Sequence, residues 1–495
     1  MKAKLFSLLI STLLLLSLCA CAEAPQSDVV TSKNDGSFDA GVVKSADTSH
    51  EDGEVYTQQL VETFSSLDGS VSFQLALDLD LPIKDMPVVE VAPHTFTPEE
   101  AQRIAKALFG DVQFYETDLA RQLSKDELRE NITAWSRYLN YEVLKDLFNF
   151  ESEEQAKDWQ ELVGGFIDNA TGQMETAPDT TSKIPCQWTF KPDAYYLYTP
   201  EEINSMNRKE DGLMTISASA ECSGVPYRFM ISNRDEKDYK IHNIFAFINV
   251  DNSPGGIGEI AARYELCKSP VPTEEQLNRA VETVQSMLDN MQIGNWSVDE
   301  CYYEPLGRGA QEAYVIYVNA VPIFEGIPAV RQPQLDNLKS TETYASNYYY
   351  SDANFELSPD GTVLSCTIFS PVDVVKVLNN NVQTLSFDEL LEKVKSHLSL
   401  YDYNEYMGLS TKSDEEISCT VSITGMEYGL TRVKVPDTND SYYYVPAVTF
   451  RGNYQAYTQS GKLWFDSNDW WNGEQQTLLV LNAVDGSVIN VSNGY

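Results

Sequence analysis

Between Ser70 and Leu81 (SVSFQLALDLDL) apolar and polar residues alternate, the period of two that lays one face of a strand on a core. The period changes at Phe96-Thr97-Pro98-Glu99-Glu100. Thr97 can cap a helix, Pro98 fits its first turn, and the two acids suit the positive end of its dipole. Ala101, Ile104, Ala105 and Leu108 then form one stripe, and Gly110 predicts the stop. Ser124-Lys125-Asp126-Glu127 is a capping box opening a second helix, with Leu128, Ile132, Trp135, Leu139, Val143 and Leu147 as one long apolar face. A third, Glu153 to Val163, is expected to end at Gly164-Gly165. From Ile184 to Val250 the segments IPCQWTF, GLMTISASAEC, PYRFMIS and KIHNIFAFINV read as strands.

Beyond Pro272 the pattern repeats. A helix over Thr273–Met291, with Leu277, Ala280, Val281, Val284 and Leu288 on one face, precedes β-rich stretches to Tyr303, over 314–330 and over 354–370. Ser386-Phe387-Asp388-Glu389 opens the next helix, with Leu390, Leu391, Val394 and Leu398, followed by strands over 417–435, 442–457 and 477–492. The helix starts lie 113 residues apart (273 to 386) and the turns Asp360-Gly361 and Asp485-Gly486 lie 125 apart (360 to 485). The expected fold class is therefore α+β, in two or three tandem units of a helix packed on an antiparallel sheet. The expected segments are a leader over 1–20, a tether over 21–55, an N-terminal α+β domain with inserted helices over 56–268, a middle unit over 269–380 and a C-terminal unit over 381–495. The region 95–265 is a candidate third, more divergent copy.

The first residues read as an address. Lys2 and Lys4 precede an apolar run from Leu5 to Leu18 that is shorter than the roughly 20 residues a membrane-spanning helix needs. The run closes on Leu18-Cys19-Ala20-Cys21, which resembles the lipobox of bacterial lipoproteins. The resemblance implies that Cys21 becomes the first mature residue and carries a diacylglycerol, fixing the body to the outer face of the cytoplasmic membrane. An ordinary signal-peptidase cut after Ala22 or Ala24 is the competing reading. Residues 22–55, rich in Ser, Asp, Gly, Thr and Ala, hold too little apolar surface to offset chain entropy and read as a flexible tether.

Charge narrows the partners. Against 35 Lys and Arg stand 74 Asp and Glu, a net −39. Losing Lys2 and Lys4 with the leader leaves 33 basic residues against 74 acidic, or −41. That field repels nucleic acid, whose phosphates supply most of the affinity in such complexes. Six cysteines remain in the body (Cys186, Cys222, Cys267, Cys301, Cys366 and Cys419), an even number that permits three disulfides, sequential pairing being the simplest, or buried free thiols.

Chemistry is sparse. The four histidines, His50, His94, His242 and His397, are scattered, and no zinc, Walker, dinucleotide or nucleophile-elbow motif occurs. No catalytic residue, metal ligand or cofactor is therefore assigned. The oxygen-rich run Asp466 to Glu474 departs from the calcium-loop spacing at Trp470, and Asp437 to Asp440 is weaker still, so solvated acidic loops are expected there. Trp464, Trp470 and Trp471 gather on one segment, and Tyr348–Tyr350 and Tyr442–Tyr444 occupy similar places in the two copies. Such aromatics suit ligand-facing surfaces, although strand packing uses the same residue types and is the weightier reading.

A Thr/Ser-x-x-Glu helix followed by strands and closed by Val484-Asp485-Gly486-Ser487-Val488 resembles the PepSY and YycI-like modules of exported Gram-positive proteins. The resemblance covers about residues 272–495. It implies a non-catalytic extracytoplasmic lipoprotein that binds or regulates another cell-envelope protein. A glycan- or wall-polymer-binding surface using the Trp464–Trp471 segment is the alternative.

Overall fold

The computed structural model describes residues 44–46, 55–82, 85–116, 123–148, 150, 152–192, 213–235, 240–248, 257–306, 313–332, 350–400, 417–435, 438, 441–470 and 475–491. In chain order the elements begin with β1 (Val55–Ser65), β2 (Val71–Pro82), β3 (Val88–Pro93), α1 (Pro98–Phe109) and β4 (Phe114–Glu116). Three helices follow, α2 (Lys125–Ser136), α3 (Tyr141–Phe148) and α4 (Glu153–Gln173). Next come β5 (Lys191–Pro192), β6 (Leu213–Cys222), β7 (Val225–Asp235), β8 (Lys240–Ile248), α5 (Ile257–Cys267) and α6 (Glu274–Met291). The middle strands are β9 (Trp296–Pro305), β10 (Tyr314–Phe324), β11 (Ile327–Pro328), β12 (Asp352–Leu357), β13 (Val363–Phe369) and β14 (Val372–Asn379). The chain closes with α7 (Phe387–Ser399), β15 (Ile417–Lys434), β16 (Tyr442–Thr458), β17 (Leu463–Asp466) and β18 (Gln476–Asn482).

These make two sheets. The first runs β1-β2-β15-β16-β3-β14, with β17 and β18 also on β16, and is antiparallel except where β2 lies parallel to β15. The second is wholly antiparallel and runs β11-β10-β12-β13-β8-β7-β6-β4, with β9 beside β10 and β5 beside β6. Its order is mirrored about the β8–β13 ladder: outward on one side lie β7, β6 and β4, on the other β12, β10 and β9. Helices α1 and α6 cover this sheet and share one apolar core with it, in which α6 buries Ala280, Val284, Leu288 and Met291. At about 1.5–3 kcal/mol per large buried side chain, these stripes fix the helices to the sheet. Helix α7 covers the first sheet through Leu390, Leu391, Val394 and Leu398. Between β4 and β6, α2, α3 and α4 pack a small core of their own around Trp135, Leu144 and Val163.

Helix starts were legible. Thr97, Ser124, Thr273 and Ser386 all cap, each in a reciprocal capping box with Glu100, Glu127, Gln276 and Glu389. Helix ends were less so. The single helix expected from Ser124 through Leu147 breaks, because Asn140 turns extended and its side chain accepts the Glu142 amide. Tyr138 and Leu144 are buried in its place, while Leu139 is exposed. Helix α4 runs through Gly164-Gly165 to Gln173, since Phe166, Ile167 and Ala170 continue its packed face. The IPCQWTF stretch holds only an isolated bridge from Pro185 to Tyr115, and Trp188 there takes a left-handed backbone conformation.

The sheets cut across the segments expected from sequence. Residues 55–93 join 372–482 in the first sheet, and residues 114–369 form the second. Strand β2 buries Val71, Phe73, Leu75 and Leu77 by lying against β15, a neighbour about 350 residues away; periodicity carries no trace of such a contact. Within the expected tether, residues 44–46 are clipped to 381–383: Ala46 N donates to Asn381 O at 2.9 Å and Gln383 N to Lys44 O at 2.7 Å.

Candidate functional site

Several buried polar side chains lie where the two sheets meet. The junction is apolar at its centre, with Val321, Phe324, Ile327 and Ala329 of the second sheet packed on Val89, Val91, Leu430, Tyr444 and Val445 of the first. Ala329 forms a parallel bridge with Leu430, and Val330 N donates to Leu430 O at 2.8 Å.

Around that centre lie three polar groups. In the first, Arg432 of β15 is 1% exposed, its guanidinium carbon 4.5 Å from the ring centre of Tyr442 and 5.9 Å from that of Tyr350. Its Nη1 donates to Ser370 Oγ at 3.4 Å. Tyr444, on the same strand face as Tyr442, packs on Phe324 with ring centres 4.2 Å apart. Burial raises its phenol above the ordinary range although Arg432 pulls the other way.

In the second, Arg331 donates from Nη1 to Glu300 at 2.9 Å and from Nη2 to Asn354 Oδ1 at 3.3 Å. Asn354 Nδ2 in turn reaches Asp352 Oδ2 at 3.3 Å. Asp352 is 6% exposed and its Oδ1 has no hydrogen-bond partner among the described residues. Burial pushes its carboxyl up to about 6, against the opposing pull of Asn354 and Arg331. Arg451 ties this network to the first sheet, donating to Arg331 O at 2.5 Å and pairing with Glu427 at 2.9 Å.

In the third, His94 follows β3 and is buried at 7% exposure. Its Nδ1 lies 2.8 Å from Asp373 Oδ1 on β14, and its Nε2 lies 3.5 Å from Glu100 Oε1 on α1. Burial works against charge on the ring, but the hydrogen bond and charge of Asp373, with Glu100 behind, outweigh it and raise the imidazole above its ordinary value.

The sequence singled out Tyr350, Tyr442 and Tyr444 and named His94 as one of four scattered histidines, but not the charged side chains that these residues meet. Arg432 alone leaves a trace: it occupies the parity of Tyr428 and Leu430 along a strand where an apolar residue is the norm. Chemically the arrangement neutralises and orients buried charge, holding two sheets in register. Among the described residues no group of three or more His, Cys, Asp and Glu side chains is placed to hold a metal ion, and no helix is long and apolar enough to cross a membrane.

The residues singled out in the sequence fall elsewhere. All six body cysteines are free thiols, so the three sequential disulfides do not form. Cys186 and Cys222 lie on opposite sides of β4, since Tyr115 pairs with Pro185 on one side and Ser219 on the other. Two strand spacings are about 10 Å, beyond the roughly 4.4–6.8 Å a disulfide spans between Cα atoms. Cys267, next to the Lys268–Ala313 bridge, and Cys301, opposite Val318, are separated by about 13 Å along β10. Cys366 and Cys419 are buried in different sheets.

Trp464 stands on β17, 47% exposed beside Leu463 at 44%. The side chain of Trp470, and Trp471, lie outside the described residues, as do Cys21, His50, the side chain of His242, Tyr348, Tyr349 and the 471–474 part of the acidic run. Asp466 takes bonds from Gln455 Nε2 at 2.6 Å and from the Asn468 amide at 2.9 Å, which closes the local turn. Tyr442 and Tyr444 are core residues, as the packing reading expected.

No family model matches the chain, and no curated protein matches it. Among solved structures, an uncharacterized protein from Eubacterium rectale matches with 10% identity and a TM-score of 0.35, covering 87% of this chain and 93% of that one.

Proposed function

We propose that this chain is a lipid-anchored extracytoplasmic protein, non-catalytic, that binds or regulates another protein of the cell envelope. The address rests on Leu18-Cys19-Ala20-Cys21, where Cys21 is the residue to be acylated. The mirrored strand order supports reading the second sheet as two tandem helix-plus-sheet units, α1 with β4, β6, β7 and β8, and α6 with β9, β10, β12 and β13. The α7 unit completes the first sheet with β15, β16 and β18.

One observation carries the partner reading. On the outer strand β14, Val374 and Val375 are 53% and 58% exposed, apolar side chains at a sheet margin. Adjacent exposed apolar residues at an edge mark contact surfaces. Register shifts between Val374 and Lys376 and between Val377 and Asn379 interrupt regular strand addition, so the contact is made through side chains. The test is capture of a reproducible partner from detergent-solubilised membranes by the full chain, lost on Val374→Asp with Val375→Asp. Undiminished capture by that variant, or a mature N-terminus beginning unmodified beyond Cys21, would overturn the reading.

A second reading is favoured by Leu463 and Trp464 on β17, an exposed aromatic beside a polar Tyr457–Gln455–Asp466 chain of hydrogen bonds. That combination suits stacking and hydrogen bonding to a glycan. Trp464→Ala leaving glycan-array binding unchanged would remove it.

A further inference from the structure

We propose that His94 is a proton-operated latch that holds α1, on the second sheet, to the outer strand β14 of the first. The geometry is asymmetric. Nδ1 is within hydrogen-bond distance of Asp373, at 2.8 Å, whereas Nε2 is buried, faces Glu100 Oε1 at 3.5 Å and makes no hydrogen bond among the described residues. A neutral imidazole has one N–H and one lone pair. If the N–H serves Asp373, the lone pair is turned toward a carboxylate, an unfavourable contact out of reach of water. A second proton converts Nε2 to a donor, and the ring then bridges a carboxylate of the first sheet, Asp373, and one of α1, Glu100.

The groups facing the ring are few. From β14 comes Asp373, from α1 come Glu100 and Arg103, and the Phe96 ring meets it edge-on with centres 5.0 Å apart. Arg103 opposes protonation but is drawn aside, its Nε donating to Met291 O at 2.9 Å and its Nη2 standing 3.5 Å from Glu100. Two further hydrogen bonds hold the segment between β3 and α1: His94 N donates to Pro371 O at 2.9 Å, and Phe96 N to Asn233 Oδ1 at 3.0 Å. Both report on the latch.

The direction follows from linkage. The folded protein holds the His94 proton more tightly than the unfolded chain, so the contact is complete below the ordinary imidazole value and is lost as pH rises through the raised one. Mild acid therefore closes the junction and mild alkali loosens it.

Hydrogen exchange at the amides of His94 and Phe96 from pH 5 to 8.5, corrected for intrinsic rates, tests this in the full chain carrying Asp352→Asn, which removes a buried carboxyl of the same junction that is raised to about 6. Protection is expected to fall with rising pH by about tenfold for each unit by which the imidazole is raised, and to be flat in His94→Gln. Should His94→Gln not fold, Asp373→Asn, at a side chain 59% exposed, serves in its place and is expected to reduce the response. Flat protection in the parent, a response surviving in His94→Gln or undiminished in Asp373→Asn, or a His94 NMR titration centred at or below the ordinary histidine value would overturn the latch.

Discussion

The guanidinium of Arg432 lies 4.5 Å from the ring centre of Tyr442, its neighbour across the β15–β16 hairpin, in a place almost closed to solvent. The two are displaced in register, since Arg432 is directly opposite Tyr444 and Val433 opposite Tyr443. Tyr350 offers the same planar cation a second ring, its centre 5.9 Å away. Lysine keeps the charge but loses the flat face and the fork of donors. Arg432→Lys is expected to cost about 2 kcal/mol, the worth of a desolvated cation–aromatic contact, read as a lower urea midpoint with an unchanged slope. An unchanged midpoint would show that Arg432 is held by shape alone.

The glycine pair inside α4 gives a prediction of opposite sign. Gly164 and Gly165 are helical, and a Cβ built on either meets nothing within 4 Å. Alanine at each is expected to stabilise by about 1 kcal/mol, mainly by restricting the unfolded chain. Thermal unfolding of the double variant should shift upward. A downward shift would mean that the helix bends there in a way the backbone does not display.

Thiol chemistry separates two groups of cysteines. Burial raises the thiols of Cys267 and Cys419 to about 12 and lifts Cys366 further. Only the thiolate reacts, so these three should resist alkylation in the native protein while half-buried Cys186, Cys222 and Cys301 label slowly. In denaturant without reductant all six should react. Fewer than six would reveal a disulfide and contradict the spacing across β4 and β10.

Asp352 makes the junction pH-dependent in its own right. Its carboxyl is raised to about 6 from 3.8, so the native state binds a proton that the unfolded chain has released. Stability from this group is complete below about pH 4 and is lost as pH rises through 6, on the order of 3 kcal/mol for a shift of about two units. Asp352→Asn should therefore stabilise the protein at pH 8 and do little at pH 4, measured by urea unfolding at both. Equal effects at the two values would exclude the carboxyl as the cause.

By itself the sequence determined what is local. Helix starts followed from Thr97, Ser124, Thr273 and Ser386, because a cap and its reciprocal acid or amide are three residues apart and act within one turn. Strands such as Val71–Pro82 and Tyr442–Thr458 followed from alternation and from β-branched and aromatic content. Tertiary structure decided everything that depends on distant partners. It joined β2 to β15 and β8 to β13, carried α4 past its glycines, separated cysteines that had looked paired, and set His94 between Asp373 and Glu100. The physical reason is the same throughout. A cap or a strand period is written within a few residues, whereas the surroundings of a buried charge are assembled from strands hundreds of residues apart.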